Sequence, residues 1–294
     1  MNYAALSTEK VNARSRGLDR LKASQIVQLM NREDKWVLWA IARARPAIAR
    51  AIGLIEGSLR RGGRMFFAGA GTSGRLGVIE AAECPPTFGT PPALIQAVMA
   101  GGKSAVFRSK EGSEDSEKEA GSAIRRIGVG GKDVVVGIAA SGVTPFVKSA
   151  LQAAKNRKAQ TILLTCNPKV TEGLARIVIA LRTGPEVLAG STRLKAGSAC
   201  KMVLNMLTTA SMVRLGKVYG NRMVDLQPKS RKLVERGIGL IQEFGRVREA
   251  NARKLFQASR GRVKVAIVMA RKNVSYTEAT RSLKTADGFL RKVL

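Results

Sequence analysis

Four short apolar runs, each closing near glycine or hydroxyl residues, constrain what this chain can fold into more than any other feature. Arg64-Met65-Phe66-Phe67-Ala68 leads into Gly69-Ala70-Gly71, and Lys132 to Ala140, rich in valine, leads into Ser141-Gly142. Thr161 to Thr165 and Ile177 to Leu181 complete the set. Continuous apolar and β-branched runs suit strands buried on both faces, because a half-exposed strand alternates polar with apolar. The segments between them are long enough for helices, and alternating strand and helix units build a parallel sheet covered on both sides. The expected fold class is α/β. Ligands of such sheets bind outside the carboxyl ends of the strands, where both glycine turns fall.

Helical periodicity surrounds this core. Leu18, Leu21, Ile26, Val27, Leu29 and Met30 recur at helical spacing, and a second run extends from Trp36 to Leu59. Ser24 is a candidate cap, Asn31 to Asp34 predict a break, and Pro46 predicts a helix start or kink. Ser198 to Gly216 reads as one long helix. Pro228 and the charged stretch after it predict a boundary, dividing the chain into residues 1–228 with N-terminal helices and a basic helical domain at 229–294, drawn as three or so short helices.

Composition excludes several chemistries. The 294 residues contain no histidine, so no imidazole base, nucleophile or ligand is available. Cys84, Cys166 and Cys200 are scattered and odd in number, which gives neither a disulfide framework nor a metal cluster and predicts a reducing, cytoplasmic setting. No apolar run approaches the ~20 residues that span a bilayer. The N-terminus lacks the basic and apolar regions of a secretory signal. A formal net charge of +30 is spread singly and in pairs among apolar residues, the pattern of solvated helix faces. It favours an anionic substrate. Nucleic acid is not the expected partner, since no aromatic platform or recognition motif accompanies the basic tail.

Three segments carry binding chemistry. Gly69-Ala-Gly-Thr-Ser-Gly-Arg-Leu-Gly77 follows a predicted strand and opens a predicted helix. Glycines there let backbone approach a ligand, and helix N-terminal amides with the Thr72 and Ser73 hydroxyls bind phosphate oxygens. Gly71, Thr72, Ser73, Gly74 and Arg75 are the candidates. Gly69, Gly71 and Gly74 also satisfy a dinucleotide fingerprint, so that reading stays open at this loop. Ala140-Ser-Gly-Val-Thr144 repeats the design, with Ser141, Gly142 and Thr144. Two such turns at neighbouring strand ends favour one phosphate and a sugar held between them. Gly190-Ser-Thr-Arg-Leu-Lys-Ala-Gly197 adds Ser191, Thr192 and Lys195.

Two carboxylates stand out. Glu83 is read as ending a helix before Pro85 and Pro86, where it opposes the helix dipole at a cost of ~0.3–1 kcal/mol and its protonated form is favoured, as a general acid requires. Six residues beyond Gly77, it is expected beside the substrate. Glu114 belongs to the acidic stretch Glu111-Gly-Ser-Glu-Asp115, which its residues alone read as a solvated loop.

Longer strings are more specific than any lone glycine motif. Gly69 to Gly89 (GAGTSGRLGVIEAAECPPTFG), Asp133 to Gly142 (DVVVGIAASG), Gly190 to Gly197 (GSTRLKAG), Leu204 to Leu207, Gly216 to Asp225 (GKVYGNRMVD) and the pair Glu33-Asp34 resemble the N-acetylmuramic acid 6-phosphate etherase family of the sugar isomerase-domain superfamily. The resemblance covers the whole chain. It implies a three-layer α/β sandwich with a parallel sheet, a small helical C-terminal domain and a homodimer. It implies a lyase that cleaves the D-lactyl ether of N-acetylmuramic acid 6-phosphate in peptidoglycan recycling, without metal or cofactor. Glu83 would protonate the departing ether oxygen, and Glu114 would be the second catalytic carboxylate, removing the proton at C2. A related branch, the glucokinase regulatory proteins, binds sugar phosphates without catalysis and supplies the alternative reading. The chain departs from the family at Val143 and Phe146, where Arg and Tyr are usual, at Asn167-Pro168-Lys169-Val170, and at Arg222.

Overall fold

A computed structural model describes residues 6–167, 173–228 and 230–294. By compactness the chain divides into two units, Met1–Ala81 with Ala93–Leu207, and Ala82–Pro92 with Thr208–Leu294.

Helix α1 spans Ala23–Arg60 without interruption. The break expected at Asn31 to Asp34 does not occur, because Glu33 turns inward and is buried among polar partners rather than solvated. Nor does Ser24 cap the helix: it lies inside it, and the Lys22 amide donates to Gln25 Oε1 at 2.9 Å. Pro46 neither starts nor stops α1. A buried apolar stripe, from Val37, Ala40, Ile41 and Ala44 to Ile48, Ala51, Ile55 and Leu59, runs past it on both sides. Proline removes the amide that would bond the carbonyl four residues earlier. Here that carbonyl, Ala42 O, accepts from Arg45 Nε at 3.0 Å.

The sheet follows: β1 (Met65–Gly69), α2 (Gly71–Phe88), β2 (Ile95–Met99), α3 (Ser104–Phe107), α4 (Glu117–Arg126), β3 (Val134–Ile138), α5 (Pro145–Asn156), β4 (Gln160–Thr165) and β5 (Ile177–Ala180). Among the described residues the five strands are all parallel, in the order β2-β1-β3-β4-β5. The four apolar runs become β1, β3, β4 and β5. The fifth strand, β2, lies at the sheet edge; its Gln96 and half-exposed centre kept it out of the sequence pattern. Residues Met65 to Ala68 and Val134 to Val136 are buried throughout, as expected of strands covered on both faces. On one face Phe66, Val135 and Leu163 form a core with Ile124 of α4 and Phe146, Val147 and Leu151 of α5. On the other, α2 comes so close to β1 that a Cβ at Gly77 would lie 2.8 Å from Phe67 Cβ. These layers make the three-layer α/β sandwich.

Helix α6 (Lys195–Arg214) follows, then a small hairpin of β6 (Val218–Tyr219) and β7 (Arg222–Met223). Beyond it come α7 (Arg231–Gly245), α8 (Glu249–Ala258), α9 (Val263–Lys272), α10 (Tyr276–Thr285) and α11 (Leu290–Val293), more helices than the three or so drawn from periodicity. Their core includes Ile241, Ala252, Ile267, Ala279 and Leu290, and it takes in Val224 and Leu226 from ahead of Pro228. Among the described residues no helix is long and apolar enough to cross a membrane.

The close approach at Gly77 yields a direct expectation. Gly77→Ala places a methyl group against the root of a buried phenylalanine, which cannot swing away as the end of a long side chain would. Overpacking of this kind costs ~1–3 kcal/mol. Thermal unfolding of the variant is expected to show a midpoint several degrees below that of the unaltered protein.

Candidate active site

In the strand order β2-β1-β3, the chain leaves β1 toward one side and β3 toward the other, so a crevice opens between their carboxyl ends. A cavity of about 350 Å³ lies there. It is lined by Gly71, Thr72 and Ser73 from the start of α2, by Ser141, Val143, Thr144 and Pro145 from the turn after β3, and by Thr192. Glu114 and Asp115 reach it from the single 3-10 turn Ser113–Asp115, and Leu6 and Glu9 from the N-terminal segment.

Local sequence explains each wall. Gly71 adopts a left-handed φ of +53°, which turns the chain from strand into helix within two residues. A Cβ on Gly74 would stand 2.6 Å from Gly69 O, so the helix start sits tight on the strand end. No acidic residue occupies the first turn of α2, which leaves its positive end unneutralised. Gly142 is left-handed too, and a Cβ there would stand 2.9 Å from Thr165 Oγ1. Ser141 Oγ accepts from the Val143 amide at 3.3 Å, and Pro145 opens α5. Gly74 and Gly142 thus shape the walls without lining the cavity.

Several expected ligands are engaged elsewhere. Arg75 donates from Nε to Val106 O at 2.8 Å and from Nη2 to Ala105 O at 2.9 Å, latching α2 to α3. It lines a neighbouring cavity of about 180 Å³, which Glu114 also borders. Ser191 is half-buried and lines neither cavity. Lys195 is buried, and its Nζ meets Glu33 Oε2 at 2.7 Å. That carboxylate also accepts from Asn12 Nδ2 at 2.7 Å and from Arg14 Nε. Burial pushes Glu33 upward, but the hydrogen bonds from Arg14, Lys195 and Asn12 outweigh it and hold the carboxyl at about 2. The first amides of α6 are taken as well. Glu186 Oε2 accepts from Lys195 N at 3.1 Å and Oε1 from Ala196 N at 2.9 Å. Burial raises the Glu186 carboxyl, only partly countered by those amides.

Glu83 also departs from its expected setting. Helix α2 continues through Pro85 and Pro86 to Phe88, so Glu83 neither ends the helix nor stands in its last turn. It is exposed. Val143 lines the cavity where an arginine was usual, while Phe146 is fully buried in the sheet core rather than in the site. Pro168, Lys169 and Val170 lie outside the described residues.

Among the described residues the cavity lining contains no lysine or arginine. The lining offers hydroxyls and backbone amides together with the carboxylates of Glu9, Glu114 and Asp115, in a chain with 51 basic residues. Sequence reasoning missed Leu6, Glu9 and Asp115. Asp115 had a signal, as the neighbour of Glu114. Leu6 and Glu9 had none, because nothing local tells a terminal segment where it will lie.

Family models match residues 47–155 as the glucokinase regulatory protein N-terminal SIS domain and residues 127–210 as the SIS domain. The N-acetylmuramic acid 6-phosphate etherase of Picosynechococcus sp. is 49% identical over 98% of this chain and 96% of its own length. That of Geobacillus thermodenitrificans is 47% identical over 98% of both chains. That of Rippkaea orientalis is 51% identical over 90% of this chain and 87% of its own. Among solved structures, a phosphoheptose isomerase from Francisella tularensis is 17% identical over 64% of this chain and 98% of its own, with a TM-score of 0.49.

The buried cluster sets a pH dependence. Because Glu33 titrates at about 2 when folded against an ordinary 4.5, its stabilisation is complete above pH 4.5 and fades as the pH falls toward 2. Glu33→Gln is expected to flatten that acid limb in midpoint-versus-pH curves. At neutral pH the same change strands Lys195 and should cost ~3–5 kcal/mol, as for one partner removed from a buried pair.

Proposed function

This chain belongs to the N-acetylmuramic acid 6-phosphate etherase family, and we propose that it cleaves the D-lactyl ether of that sugar phosphate, releasing D-lactate and N-acetylglucosamine 6-phosphate. The observation that carries this reading is the cavity between the ends of β1 and β3, where two hydroxyl-glycine turns and Glu114 meet. The phosphate takes hydrogen bonds from the Thr72, Ser73, Ser141 and Thr192 hydroxyls and from amides opening α2, whose dipole favours an anion. Arg75, Lys195 and Ser191 are left out of the contact set for the reasons above. A single phosphate site also suits this cavity better than a dinucleotide, since both turns contribute to it.

Chemistry follows from the opened sugar. Its aldehyde makes the C2 proton acidic, and Glu114 removes it. The electron pair forms the C2–C3 double bond as the C3–O bond to lactate breaks. Glu83 gives its proton to the departing oxygen, a role that rests on the family resemblance. Water then adds across the double bond to leave the hydroxyl at C3. Neither step requires an imidazole, which this chain lacks. We further propose a homodimer in the cytoplasm, a reducing setting that suits the buried cysteines Cys84, Cys166 and Cys200. Metabolism of amino sugars, with substrate drawn from the cell wall, is the setting, and no nucleic-acid partner is invoked.

Incubating the purified protein with N-acetylmuramic acid 6-phosphate should release D-lactate in equal amount to N-acetylglucosamine 6-phosphate. Binding of the sugar phosphate without lactate would instead identify a regulatory protein. Glu114→Gln is expected to slow hydrogen–deuterium exchange at C2 by ~10²–10⁴-fold, the usual worth of a general base. Glu83→Ala should abolish lactate release while sugar-phosphate affinity stays at its original level; exchange surviving in the Glu114 variant would remove Glu114 from the base role.

A further inference from the structure

The cavity has a wall that the reaction above does not use. The N-terminal segment runs across the carboxyl ends of the strands and is pinned on either side of Glu9. On one side Leu6 and Thr8 are buried, and Ser7 Oγ donates to Cys166 O, at the end of β4, at 3.4 Å. On the other, Asn12 is buried, its Nδ2 shared between Glu33 Oε2 at 2.7 Å and Pro185 O at 3.4 Å. Arg14 fastens to the same carboxylate, and Asn12 Oδ1 accepts from the Arg14 amide at 3.0 Å.

Between these pins Glu9 is exposed and lines the cavity together with Thr72, Ser73, Ser141 and Glu114. Its carboxylate accepts a long hydrogen bond from Thr8 Oγ1, at 3.4 Å, and among the described residues no salt bridge ties it to a cation. Space has been left for it. A Cβ on Gly190 would come within 3.0 Å of Glu9 Oε2, and Gly190 holds a left-handed φ of +77°.

A carboxylate in a phosphate site is electrostatically adverse. Like charges repel, and more strongly near a protein surface than in bulk water. Glu9 therefore cannot be a ligand of the phosphate, nor of the lactyl carboxylate. What it can take is a neutral donor, and the amino sugar carries two kinds, hydroxyl O–H and acetamido N–H. We infer that Glu9 is a substrate-orienting residue, accepting a hydrogen bond from an O–H or N–H of the sugar and keeping the anionic ends of the substrate on the opposite, hydroxyl-lined wall. The N-terminal segment is then part of the active site, delivered to it by the Asn12–Arg14–Glu33–Lys195 cluster. This inference rests on reading the cavity as a sugar-phosphate site and adds the residue that reads the sugar itself.

Calorimetric binding tests it without turnover, using N-acetylglucosamine 6-phosphate, glucose 6-phosphate and inorganic phosphate. Glu9→Ala is expected to weaken N-acetylglucosamine 6-phosphate at least tenfold, with inorganic phosphate unchanged or tighter and the unfolding midpoint unmoved. Loss for both sugars assigns a hydroxyl donor; loss confined to the acetamido sugar assigns the amide. Glu9→Gln, which keeps an acceptor oxygen, should fall between Ala and the unaltered protein. The inference is overturned if Glu9→Ala binds every ligand as before, if Gln is as weak as Ala, or if all ligands weaken together with a lowered midpoint. Lactate release by the unaltered protein is measured separately. Its absence would defeat the etherase reading while leaving the binding comparison intact.

Discussion

One buried carboxylate holds the site side of this protein together. Glu33 sits in the middle of a 38-residue helix, and it accepts from Lys195 at the start of α6 and from Asn12 and Arg14 of the N-terminal segment. The partners come from two other stretches of chain, so one side chain ties three stretches together, its own helix included. An isolated charge would not survive in that position, because removing it from water costs more than any single contact returns. Three donors on two oxygens make it tenable. The walls that carry Thr192 and Glu9 are both tied to this point, one through α6 and the other through Asn12.

The sheet supplies the other half of the arrangement. With β1 flanked by β2 and β3, the crevice must open at the carboxyl ends of β1 and β3, and the chain places its two hydroxyl-glycine turns there. Glycine at positions 69, 74 and 77 allows α2 to ride close on β1, which brings the positive end of the helix to the crevice. Among the described residues no lysine or arginine joins that lining, so the proposed phosphate contacts are hydroxyls and amides. The large positive charge of the chain belongs to its surface rather than to this cavity.

That distinction marks what could be read in the sequence. The buried strands and both turns were legible, because strand burial and turn chemistry are local properties of neighbouring residues. Gly71, Thr72, Ser73, Ser141, Thr144, Thr192 and Glu114 all came to the cavity. Lys195 was read as an anion ligand for its charge and position in a loop, yet its partner lies 162 residues away and no local pattern announces it. Arg75 was misread for the same reason, its donors being taken by carbonyls of α3. The polar stretch at Asn31 to Asp34 looked like a break because polar residues usually face water; Glu33 faces inward to meet its ion partners. Glu83 was read as ending its helix, whereas α2 continues through Pro85 and Pro86 to Phe88.

A bound-state crystal structure with N-acetylglucosamine 6-phosphate tests the central claim most directly. The account predicts the phosphorus between the turns at Gly71–Ser73 and Ser141–Thr144, its oxygens within hydrogen-bond distance of the Thr72, Ser73 and Ser141 hydroxyls, and no lysine or arginine of the surrounding unit in contact with it. A phosphate held by Arg75 or Lys195, with the Glu33 cluster broken to release the lysine, would contradict it.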